Sequence, residues 1–158
     1  VKAAACPTCG RPLDEHDRHI RFTLPDPVLE VPDSERTWQA PDMMQVDGVG
    51  SFLRALLPVR LTGGYRVTFG VWLLVHPDDL QRAFRVWQEP DFVGFSVDGW
   101  LGNAVRPWGL LGKPVHAQVR DPDQIPYIDT STDPLVARVL AEEWPHEDIL
   151  AVLRWRCA

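Results

Sequence analysis

"SFLRALLPVRLTGGYRVTFGVWLLV", residues 51–75, decides the fold. Its apolar residues recur at every second position, the period of a strand with one buried face rather than of a helix. Leu53, Ala55, Leu57, Val59 and Leu61 make one face, and Phe52, Arg54, Leu56, Pro58 and Arg60 alternate with them. Pro58 has no backbone donor, so it marks an edge position or a bulge. Residues 62–65, "TGGY", form a hairpin turn, because glycine takes positive φ at little cost. The returning strand puts Tyr65, Val67, Phe69, Val71, Leu73 and Val75 on one face, with Arg66, Thr68, Gly70, Trp72 and Leu74 on the other.

Downstream of the hairpin, "HPDDLQRAFRVW" (residues 76–87) reads as a helix. Pro77 suits its first turn, Asp78 and Asp79 complement the positive end of its dipole, and Leu80, Phe84 and Trp87 form its apolar stripe. "DFVGFSVDGW" (residues 91–100) is a strand with Val93, Phe95 and Val97 inward. "KPVHAQVRD" is another, with Val115, Ala117 and Val119 on one side and His116, Gln118 and Arg120 on the other. "IPYID" reads as a fifth strand, and helices follow near residues 133–142 and 145–155, capped by Asp133 or Thr132 and opened by Pro145. This order predicts an α+β fold over residues 46–158, an antiparallel sheet of about five strands with helices packed on one face. Residues 1–45 read as an irregular N-terminal arm, because six prolines recur there too often for a sustained helix or a central strand.

A chain of 158 residues is long enough to bury one core without staples. The formal charge of -6, with no compensating run of lysine or arginine, argues against nucleic acid as a partner. No apolar run approaches the roughly 18 residues of a membrane span. Three cysteines make a poor disulfide framework, and the expected location is the reducing cytoplasm.

The arm carries "CPTCG" (residues 6–10), a spacing that lets two thiolates reach one zinc ion. His16 and His19 are the local candidates for the remaining ligands, and Cys157 is a remote one. The expectation is a structural zinc on Cys6, Cys9, His16 and His19, set against two buried thiols beside a solvated polar loop. Redox chemistry fits poorly, because Pro12 follows Cys9 too closely for the helix N-terminus that lowers a thiol pKa.

The outward residues of the strands supply the binding expectation. Arg66, Thr68 and Trp72 on one strand, with His116, Gln118 and Arg120 on another, would make an anion-friendly surface on an acidic protein. Arg54 and Arg60 belong to the same set. Trp108 joins it from the connection "GWLGNAVRPWGLLGKP" (residues 99–114), long and aromatic enough to be a binding loop. The simpler account is a solvated sheet face and a loop packed on the sheet edge. "GLLGK" is no phosphate loop: the glycine spacing is wrong and Pro114 replaces the metal-binding hydroxyl. His116 is the catalytic candidate, a general base with Asp98 or Asp129 as its orienting carboxylate.

Taken together, the motifs resemble a bacterial family known as domain of unknown function 2199. The resemblance rests on "CPTCG", "VDGVGSFLRALLPV" (residues 46–59), "FGVWLLVHPDDLQRAFRVW" (residues 69–87), "KPVHAQV" and "DTSTDPLVARVL" (residues 129–140). It spans nearly the whole chain in matching order. The chain departs from the family pattern at Pro12 and Leu13, where a histidine is usual, and at "DTSTDPL", which lacks another. The resemblance implies a bacterial origin and a shared fold but no activity. The resulting expectation is a non-enzymatic binding or accessory domain for a small anionic molecule or a protein partner. The alternative is a small cofactor-independent hydrolase or isomerase with His116 as general base.

Overall fold

The computed structural model describes residues 18–87 and 89–153. In chain order these hold β1 (Arg18–Arg21), β2 (Trp38–Gln39), β3 (Met43–Val46), β4 (Gly50–Leu61), β5 (Arg66–Val75), α1 (Pro77–Val86) and β6 (Ser96–Leu101). There follow β7 (Pro114–Gln118), β8 (Tyr127–Thr130), α2 (Pro134–Ala141), β9 (Glu143–Trp144) and α3 (His146–Leu153). The hairpin read from residues 51–75 is present as β4 and β5, antiparallel from Ser51–Val75 to Arg60–Arg66.

The sheet is not open. β5 pairs with β6, β6 with β7 and β7 with β8, all antiparallel, and β8 returns to β4 in parallel at Leu56–Tyr127. The Leu56 N–H seals that seam by donating to the Pro126 carbonyl at 2.8 Å. The core is therefore a closed five-stranded barrel in a mostly β protein, which corrects the α+β expectation of an open sheet with helices on one face. Two features of the chain allow closure. β4 and β5 are long enough, at 12 and 10 residues, to pair with different neighbours along their lengths. Glycines let β6 and the turn after it cross close to β5: a Cβ on Gly99 would lie 2.7 Å from the Leu74 carbonyl oxygen, and one on Gly102 3.0 Å from that of Trp72. Pro58 sits inside this ring, not at an edge. The Leu61 N–H to Tyr65 carbonyl bond fixes the ladder phase, so Pro58, opposite Thr68, stands where no bond to β5 is required. On its other side β4 meets β8 at Leu56 and β9 only from Arg60 onward.

The inward residues are those that the alternation predicted. Leu53, Ala55, Leu57, Val59 and Leu61 meet Val67, Phe69, Val71, Leu73 and Val75 in the barrel, joined by Val97, Val115, Ala117 and Ile128. The helices close the ends. α1 follows β5 and inserts Leu80 and Ala83; Phe84, read as part of the stripe, is 64% exposed because the Leu80–Ala83 spacing points elsewhere. At the opposite end α2 contributes Val136 and Val139, and α3 contributes Ile149. The Asp133 carboxylate caps α2 by accepting from the N–H groups of Leu135 and Val136. The Val136 bond, ahead of the neighbouring Lys113, holds that carboxyl below its ordinary value. α3 docks through His146, which bonds Thr62 and stacks on Tyr65 at 4.8 Å. Val93 is also displaced from its expected place: residues 90–92 form a single turn, Val93 points outward, and Phe92 is buried instead.

Residues 18–46 form a covering layer. β1 runs parallel to β5, and β3 pairs antiparallel with β4 and carries β2 on its outer edge. Together they bury the outer face of the hairpin in a second small core of Val28, Met44, Val46, Phe52 and Trp72. Buried Asn103 stitches the layer down. It accepts from the Trp72 backbone N–H at 2.8 Å and donates to the Leu24 carbonyl and the Asp26 carboxylate.

Candidate functional site

The second core leaves a cleft of about 540 Å³ between the arm and the barrel. Three arginines from three elements line it: Arg21 from β1, Arg36 from the turn before β2, and Arg54 from β4. Strand alternation puts Arg54 on the outer face, where the arm covers it and leaves its side chain 4% exposed. Nη1 donates to the carbonyls of Phe22 (2.9 Å) and Gly70 (3.2 Å), Nε donates to that of Pro41, and Asp42 lies 3.6 Å from Nε. The guanidinium stacks on Trp72, 4.3 Å from the ring centroid, and the Trp72 indole N–H bonds the same Phe22 carbonyl. Burial, then repulsion from Arg21, lowers the Arg54 pKa to about 10, against a smaller opposite pull from Asp42. Nη2 of Arg54 makes no hydrogen bond among the described residues. Arg21 bonds the Pro41 carbonyl, and Arg36 bonds the Val31 carbonyl and pairs with Asp33. Three guanidinium groups against Asp33 and Asp42 leave the cleft cationic on a chain of formal charge -6.

A second cleft, of about 510 Å³, lies over β6, β7 and β8. His116 projects outward into it, paired across the strands with Asp98 on one side and Thr130 on the other. Its Nδ1 is 2.6 Å from Oδ1 of Asp129. A carboxylate accepts only, so Nδ1 carries the proton and Nε2 keeps its lone pair in the neutral ring.

Of the residues expected to share one ligand-binding face, Arg54 and Trp72 line the arginine cleft and His116 alone the second one. Thr68 is buried opposite His19 of β1, and Arg66 stands at the hairpin end of β5 opposite Arg60. Gln118 is exposed at the end of β7, and Arg120 lies over the Tyr127 ring. A closed ring turns the outer faces of successive strands in different directions, so rows on β5 and β7 do not make one surface. Trp108 is no lid. It packs edge-on to Phe69 and Trp144, and its indole N–H is buried without a partner among the described residues. The expected zinc ligands Cys6, Cys9 and His16, with Cys157, lie outside the described residues; His19 is on β1.

Sequence reading missed Arg21 and Arg36, because nothing local ties the arm to the hairpin. The pairing of His116 with a carboxylate was readable, with Asp129 rather than Asp98 in contact. No helix among the described residues is long and apolar enough to cross a membrane. No curated protein and no solved structure matches the chain. One family model does, over residues 5–140, and its description is an uncharacterised protein conserved in bacteria. The match takes in both clefts and every strand of the barrel, so the chain belongs to the bacterial family designated domain of unknown function 2199.

Proposed function

We propose that the protein is a binding domain for a small anionic ligand, a carboxylate or phosphate, held in the cleft of Arg21, Arg36 and Arg54. The observation that carries this reading is the buried Arg54, kept beside a second arginine although both burial and that neighbour disfavour its charge. An anion accepting from the guanidinium groups offsets that cost, and charge-assisted forked bonds are the strong ones. The cleft has the volume of a small-molecule site, with Leu24, Met44 and Trp72 as apolar walls.

Calorimetric titration with inorganic phosphate and with citrate tests the reading. Saturable binding of either, weakened about tenfold or more by Arg21→Gln or Arg36→Gln, is the expected result. Equal binding by wild type and both variants, or none, contradicts it. Zinc on Cys6, Cys9, His16 and His19 is a separate proposal. It predicts one zinc per chain in elemental analysis, lost in Cys6→Ser; protein purified without zinc and unable to take it up contradicts it.

A further inference from the structure

β8 contains an irregularity that its alternation does not require. Ala117 of β7 faces Ile128, but the next outward residue, His116, faces Thr130, so Asp129 is an extra residue, a bulge. Alternation from buried Ile128 already points Asp129 outward on the side of His116, with Oδ1 2.6 Å from Nδ1, and the bulge brings Thr130 onto that side as well. The remaining imidazole nitrogen, Nε2, is the acceptor. The imidazole is one-third exposed at the cleft, neither sealed in the core nor free in bulk water. Beside it Trp100, 49% exposed and opposite Pro114 on β7, offers an aromatic wall.

These are the parts of a base poised on a substrate. The orienting group fixes the tautomer, the imidazole lines a cleft, and a flat surface is there for a ring to rest on. The carboxylates of Asp98 and Asp129 set the charge of the ligand: they repel anions, so this cleft does not take the ligand of the arginine cleft. Ser131 is no nucleophile here, because its hydroxyl is donated to the Pro114 carbonyl.

We propose that this cleft is a second, catalytic site, in which Nε2 of His116 removes a proton from a flat, uncharged substrate lying against Trp100. His116 is the catalytic residue, and Asp129 positions it and pairs with the imidazolium that forms. The substrate C–H or O–H bond breaks, its electron pair stays on the substrate, and the proton resides on Nε2 until it passes to product or water.

The test uses the full chain and 5-nitro-1,2-benzisoxazole, a flat neutral probe. A base takes its ring C–H proton, the freed electron pair opens the N–O bond, and a coloured nitrile phenolate appears. The expected rate exceeds that of the same concentration of free 4-methylimidazole. His116→Ala lowers it about tenfold or more, and Asp129→Asn lowers it with the imidazole still present. Phosphate affinity and circular dichroism stay unchanged in both variants, which separates this site from the anion cleft. Nitrogen NMR of the histidine rings supplies a readout independent of turnover, with Nδ1 protonated and Nε2 bare at high pH. Equal rates for wild type and His116→Ala, or a proton on Nε2, overturn the proposal.

Discussion

Arg54 shows how one side chain can be placed correctly by alternation and still be misjudged in its surroundings. Its position on the hairpin face with Trp72 was legible from period two alone. The cover over that face was not, because it comes from a proline-rich stretch that hides three short strands, β1, β2 and β3. The energetics follow from that cover. A guanidinium whose folded pKa is lowered from its ordinary value to about 10 favours the folded state only when neutral, so its charge opposes folding by about 3 kcal/mol at neutral pH. That cost is relieved only as pH rises through about 10 and beyond. Arg54→Lys keeps a charge but loses the planar fork and the stack on Trp72, and we expect it to weaken phosphate or citrate binding about tenfold. Calorimetry on the folded variant checks this; unchanged affinity would place the anion elsewhere. His116 is the complementary case. Its carboxylate partner was one of two that the sequence offered; they sit on the two strands that flank β7, and the choice between them rests on a strand pairing that one chain does not display.

At the scale of elements, the strands were legible wherever alternation was long, and the errors fall where it was short. β4 and β5 were readable residue by residue, whereas Val93 was drawn into a strand that begins only at Ser96. In α1 the sequence favoured Phe84 as a buried residue, but Ala83 faces the barrel with Leu80 and Phe84 points away from it. Small residues carry comparable weight at the β5–β6 crossing. Gly99→Ala puts a methyl 2.7 Å from a backbone oxygen that cannot move without disturbing the ladder. We expect it to destabilise the protein by about 1–3 kcal/mol, measured by urea denaturation. A stability equal to wild type would mean that the close strand crossing is not needed for closure.

For the whole molecule, the hydrophobic pattern identified a one-core β region but could not distinguish a flat sheet with helices over it from a sheet rolled onto itself. Both bury the same alternate residues. The difference lies in a single short seam, Leu56 against Tyr127, and in helices that plug the barrel ends instead of lying across a face. Rolling the sheet gives the molecule two outer surfaces in place of the single polar face expected. One is layered by the arm and is cationic; the other is open over β6, β7 and β8 and is acidic with an aromatic wall. The central claim is that the cationic one binds anions through Arg54. Its most direct measurement is the arginine Nε–H NMR spectrum during a citrate titration. The account predicts that the Arg54, Arg21 and Arg36 signals shift together and saturate at one equivalent, with the signal of Arg66, which lines neither cleft, unmoved. Shifts confined to Arg66 and other surface arginines, or a linear drift without saturation, would contradict it.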